Sequence, residues 1–160
     1  MDTQRIEQLF TLIANKSKSQ DNCDNNRKLV KEILDNQSAI VEIDVNDIED
    51  TFQTEGEIHG FTVSVNATID YRMKILMEEV RKKAEQYKPF NRVIVFFFMS
   101  VMSPLTMGEL LPLNEWLEAF SDETKVRWGM AINPPNTPQT LKTIVLLVSQ
   151  GTRTLIHVEA

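Results

Sequence analysis

Apolar residues along this chain follow two rhythms, and each switch between them marks an element boundary. Ile6, Leu9, Phe10 and Ile13 recur at helical spacing and predict a helix over residues 3–15; the almost wholly polar stretch 15–26 reads as a loop. Leu29, Val30, Ile33 and Leu34 mark a second helix, stopped by turn formers at 36–38. Residues 39–43 form a short extended piece, after which Asp44 or Asn46 can cap a helix through Ile48 and Phe52. Phe61, Val63, Val65, Ala67 and Ile69 alternate with Thr62, Ser64, Asn66 and Thr68, the period of a strand with one wet face. Helical spacing returns at Met73, Leu76, Met77, Val80, Ala84 and Tyr87, with Asp70 as cap and Pro89 as stop.

The next run is different. Residues 93–99 (VIVFFFM) are apolar on both faces, as in an interior strand. Thr106 then caps a helix whose stripe includes Leu110, Leu113, Leu117 and Phe120, with Pro112 in its early part. Val126, Trp128, Met130 and Ile132 alternate in a further strand, 134–138 is a turn, and 141–149 is the last strand. These elements predict an α/β (α+β) fold, a two-layer sandwich. Its mixed four-stranded sheet takes strands near 57–69, 92–101, 124–133 and 140–149, and helices near 70–88 and 107–121 cover one face. The other face of VIVFFFM must also be hidden, a task for the N-terminal helices; a face left bare predicts a homodimer. Residues 1–38 are thus a helical segment packing on an α/β domain at 39–151, with a tail at 152–160.

Composition narrows the function. With 42% hydrophobic and 25% charged residues, 160 residues suffice for one ordinary core. A net charge of −6 argues against a broad phosphate-binding surface and hence against nucleic acid. The longest apolar run, seven residues, is far short of the ~20 needed to span a bilayer. No signal-peptide pattern opens the chain, and the single cysteine, Cys23, suits a reducing cytoplasm. The acidity is uneven: residues 1–60 hold 6 basic and 13 acidic side chains, and the stretch 42–57 carries acids with no Lys or Arg. Either these acids occupy a solvated helix start, where the dipole favours them, or they form a docking surface.

Recognisable chemistry is sparse. The five glycines are too scattered for a phosphate loop, and His59 and His157 lack metal-ligand spacing. Cys23 has no neighbouring cation to activate it, and the sixth position counted from Asp44 is Glu49 where an EF-hand requires glycine. No cofactor, metal or catalytic constellation is expected, and the chain reads as a binding or assembly domain.

Two stretches resemble the C-terminal domain of the FtsZ/tubulin superfamily. VEIDVNDI (41–48) is similar to the FtsZ synergy loop, roughly Asn-x-Asp-Phe-Ala-Asp, with Asp44 and Asp47 on its two acidic positions. From Arg92 to Gly151, the VIVFFF strand, PLTMGEL (104–110), VRWGMAINP (126–134) and IVLLVSQG (144–151) follow the family's order and spacing. The likeness covers roughly residues 27–151. It departs at Glu42, which stands for the loop's Asn, at Val45 and Asn46, which replace Phe-Ala, and near 99–101, where a Gly pair is missing. The chain also lacks the glycine-rich GTPase signature.

In that family one subunit binds GTP and the synergy loop of the next completes the hydrolytic site. The resemblance therefore implies a cytoplasmic, non-catalytic interaction module, connected with cell division, that binds itself or an FtsZ/tubulin-like GTPase. Glu42, Asp44, Asp47, Glu49 and Asp50 are its interaction residues. One alternative has Asp44 and Asp47 acting in trans on a partner's nucleotide, positioning the attacking water. Another is a relative in fold only, with a small-ligand or homodimer role.

Overall fold

A computed structural model describes residues 3–36, 38–134 and 137–150; the expected tail at 152–160 and part of the turn at 134–138 lie outside them. The elements are α1 (Thr3–Lys16), α2 (Gln20–Asp35), β1 (Ala39–Val41), α3 (Val45–Phe52), β2 (Glu57–Asn66), α4 (Arg72–Glu85), β3 (Phe90–Met99), a 3-10 turn (Met107–Leu110), α5 (Leu111–Glu118), β4 (Lys125–Ile132) and β5 (Thr140–Ser149). The sheet order is β1-β4-β3-β5-β2. β3 and β4 are parallel, while β5 is antiparallel to both β3 and β2.

β3 occupies the middle and both its faces are covered. Ile94, Phe96 and Phe98 join Ile144, Leu146 and Val148 of β5 under α1, α2 and α3. Val93, Val95, Phe97 and Met99 join Leu141, Val145 and Leu147 under α4 and α5. The N-terminal helices thus supply the second cover, as the sequence required of them.

Four local expectations change here, and a fifth at the start of α4. The sheet has five strands, because residues 39–41 pair with β4 and extend the edge. This close approach needs Gly129, whose Cβ would lie 2.6 Å from the Val41 carbonyl oxygen and 2.7 Å from the Phe96 ring. The polar stretch 15–26 is mostly helix: Ser19 caps α2 by accepting the Asn22 N–H, and Cys23 and Asn26 turn inward. Asn26 then donates to the Ile58 carbonyl at 3.0 Å, tying α2 to β2. β2 ends at Asn66, leaving Ala67 and Ile69 in the turn beyond it. Pro112 begins α5 rather than kinking it, since a first-turn residue has no helical partner for its missing N–H.

The start of α4 is held by charge, not by Asp70. Tyr71 stands at the N-cap with φ 55°, a left-handed conformation rare for an aromatic residue. Beside it, nearly buried Arg72 donates to the carbonyls of Ala67, Ser103 and Pro104 and to the Ser103 hydroxyl. Its Nε and Nη2 fork onto Glu109 at 2.6 and 2.8 Å. Glu109 also accepts from the Thr106 N–H, closing the 3-10 turn that Thr106 was expected to cap. One guanidinium therefore joins the β2–α4 turn to the β3–α5 loop.

Gly129→Ala is expected to cost about 1–3 kcal/mol, read by urea unfolding, because β1 or the Phe96 ring must retreat. Glu109→Gln is expected to cost about 1.5–3 kcal/mol at neutral pH. The hydrogen bond from Arg72, more than any other cause, holds the Glu109 carboxyl below its ordinary range. Its stabilisation is therefore complete above the unfolded carboxylate pKa and disappears as pH falls through the lower folded value. The stability gap between wild type and Glu109→Gln should close over that acid window, measured by urea unfolding at successive pH values.

Candidate functional site

The acidic run folds into one corner, where β1 leads into α3. Asp44 adopts the extended backbone of an N-cap, and its Oδ1 accepts the Asp47 N–H at 2.9 Å. Asp47 reciprocates, its Oδ2 accepting the Asp44 N–H at 3.1 Å, so the pair closes a capping box. Buried Ile43, Val45, Ile48 and Phe52 anchor this corner in the core shared with α1 and α2. The acids consequently remain on the surface: Glu42, Asp44 and Asp50 are exposed, and Asp47 and Glu49 are half-buried.

Two arginines distant in sequence answer this charge. Arg127 of β4 places Nη1 3.0 Å from Asp47 Oδ1 and Nη2 2.7 Å from Asp50 Oδ2. Arg5 of α1 reaches Glu49 at 3.3 Å and also donates to Asn46. The structure thus brings the five expected residues to one corner but commits three of them to internal ion pairs. Asp44 works mainly as a helix cap, and Glu42 stands beyond β1. The hydrogen bond from Arg127 is the largest influence holding the Asp50 carboxyl below its ordinary range.

Arg127, Arg5, Arg92 and Lys125 are the members that sequence reasoning missed. Arg92, Lys125 and Arg127 line a 300 Å³ hollow with Asp50, Thr51 and Val126. An available signal lay in the alternation of Lys125 and Arg127 with Val126 and Trp128, which placed those cations on the opposite face of the strand. Nothing in the spacing told that α3 crosses that face. Because Asp50 supplies a carboxylate to the hollow, its cations are already partly satisfied from within the chain. Cys23 is buried in α2, and His59 stacks on Tyr87 with centroids 4.4 Å apart. Among the described residues no group of three or more His, Cys, Asp or Glu could hold a metal ion, and no helix is long and apolar enough to cross a membrane.

No family model and no curated protein matches this chain. Solved structures do. A point-mutant FtsZ from M. jannaschii aligns with a TM-score of 0.62 and 12% identity, covering 82% of this chain and 40% of that one. An empty FtsZ dimer from the same organism aligns with a TM-score of 0.60 and 12% identity, covering 82% of this chain and 37% of that one. The fold is FtsZ-like. The structural likeness agrees with the C-terminal-domain resemblance read in the sequence. At this identity it establishes fold and not activity, and the chain spans about two-fifths of the FtsZ chains it matches.

Replacing Arg127 by Ala should raise the titration midpoint of Asp50 toward the ordinary carboxylate range. Carboxyl NMR titration of the folded protein checks this; an unmoved Asp50 resonance would show that Arg127 does not hold it.

Proposed function

We propose that this chain is a protein-interaction module that docks on an FtsZ-type GTPase filament through the acidic β1–α3 corner and performs no chemistry of its own. Such a role places it in the cytoplasm, beside filaments of the kind that serve cell division. The observation carrying this reading is the acidic corner itself, set in an FtsZ-like fold at the position where the sequence resembles the synergy loop. Its geometry favours docking over trans-activation. A carboxylate that orients water needs an accessible acceptor site aimed at it, whereas both oxygens of Asp47 already accept hydrogen bonds. In favour of the second reading, Asp44 Oδ2 has no hydrogen-bond partner among the described residues.

Co-sedimentation with GTP-assembled FtsZ tests the proposal. The full chain should pellet with filaments, and Glu42→Lys combined with Asp44→Asn should lower its affinity about tenfold or more. Asparagine caps a helix as well as aspartate does, so this variant removes charge without removing the cap. Phosphate release by the filaments should not rise. Failure of the wild-type chain to pellet, or equal pelleting by the variant, overturns the docking site. A rise in phosphate release that Asp44→Asn abolishes would replace docking by trans-activation.

A further inference from the structure

The hollow beside the last turn of α3 gathers more positive charge than the chain answers. Arg92 of β3 and Lys125 of β4 are register partners in the parallel pair, so their side chains leave the sheet on one face. It is the face packed by α3, since Ile94, two residues beyond Arg92, joins Ile48 and Phe52 in the core. Arg127 follows Lys125 on the same face. The lining is Asp50, Thr51, Arg92, Lys125, Val126 and Arg127, three cations and one carboxylate around 300 Å³. Like charges on facing strand positions repel, and no burial requires this pair, because Lys125 is exposed.

Partners within the chain are unequally shared. Arg127 is taken up by Asp47 and Asp50. Arg92 Nη1 reaches only backbone carbonyls, those of Asn91 at 2.9 Å and Glu123 at 3.4 Å. Its Nε and Nη2 make no hydrogen bond among the described residues, and Lys125 Nζ makes neither a hydrogen bond nor an ion pair among them. No carbonyl of α3 accepts from either side chain among the described residues, so the helix dipole acts on them through its field alone. The Thr51 hydroxyl is spent on the Asp47 carbonyl. The hydrogen bond from Arg127 leads the causes that lower the Asp50 carboxyl, and the charges of Lys125 and Arg92 add to it, so all three cations converge near one point.

That donor set specifies an anion. The ligand must accept several hydrogen bonds at once, and the cations exceed the hollow's own carboxylate by more than one charge. A phosphomonoester supplies three acceptor oxygens and a charge of about −1.5 to −2, where a carboxylate supplies two oxygens and a single charge. A guanidinium fork beside an ammonium point charge suits phosphate in particular. The net charge of −6 confines such binding to this hollow and does not oppose it.

We infer that the hollow formed by Arg92, Lys125 and Arg127 binds a phosphate group, either the free ion or a phosphomonoester carried by a larger molecule. The inference does not rest on the docking reading, since Arg92 and Lys125 bond to none of the corner's acids.

The test titrates the full chain at constant ionic strength with inorganic phosphate and, in a second arm, with N-acetyl-O-phosphoserine amide, following amide NMR shifts. Saturable shifts at 50–51, 92 and 125–127 are expected, and the tighter arm tells the free ion from the ester. Lys125→Ala removes no internal hydrogen bond, so it should keep the urea midpoint while weakening binding about tenfold or more. Lys125→Arg should restore most of that loss. Asp50→Asn removes the hollow's own carboxylate and should strengthen binding about threefold, a gain that cations serving only Asp50 would not give. Absence of saturable shifts in both arms, binding unchanged by Lys125→Ala, no gain in Asp50→Asn, or equal affinity for acetate overturns the inference. The titration contains no filament, and Lys125→Ala should still pellet with FtsZ, so failure here is distinguishable from failure of the docking site.

Discussion

A strand without a wet face imposes the strongest constraint on this molecule. Residues 93–99 of β3 are all buried, so neither side of the sheet centre can face solvent. β4 and β5 satisfy the backbone on both edges of β3, and two helical layers remove its side chains from water. The layer made by α1, α2 and α3 is therefore part of the fold's central packing. Without it Phe96, Phe98, Leu146 and Val148 would form an apolar surface larger than scattered exposure accounts for.

That same requirement explains why the acidic corner is charged yet ordered. α3 must put Ile48 and Phe52 into the core, which leaves Asp47 and Asp50 along the side that meets β4. Arg127 alternates out of the β4 strand at that crossing. The resulting pairs are exposed and give modest stability, but they set which carboxylate oxygens remain accessible to a partner. The internal arrangement thus occupies both oxygens of Asp47 while leaving Asp44 Oδ2 open among the described residues.

Much of the fold was legible because apolar periodicity encodes it. β3, β4, β5 and the stripe of α4 were visible where successive apolar residues repeat. The start of α2 was not, because Ser19 supplies the cap while the inward positions nearest it are Cys23 and Asn26. β1 was visible as an extended piece but not as part of the sheet, since three residues hold no usable period and its docking depends on the missing side chain at Gly129. The acidic members of the candidate site could be read locally; the partnership of Arg127 with Asp47 spans 80 positions and depends on topology. Arg72 was hidden for a related reason, because its partners at Glu109 and Ser103 approach only after β3 has crossed the sheet.

The departures from the FtsZ resemblance fall where this scaffold permits change. Packing requires apolar faces on the strands and helices, and many side chains satisfy that requirement, so a common fold persists at 12% identity. Glu42, Val45 and Asn46 lie at the β1–α3 corner, where Val45 supplies a core anchor while Glu42 and Asn46 remain exposed. The missing glycine pair lies just before a loop that exposes Val101 and Met102. That loop is secured by Arg72 binding Ser103 and Pro104, so it can present apolar residues without relying on their burial. The β1–α3 corner and that loop consequently lie on opposite faces of the sheet, and the doubly covered β3 is common to the packing of both.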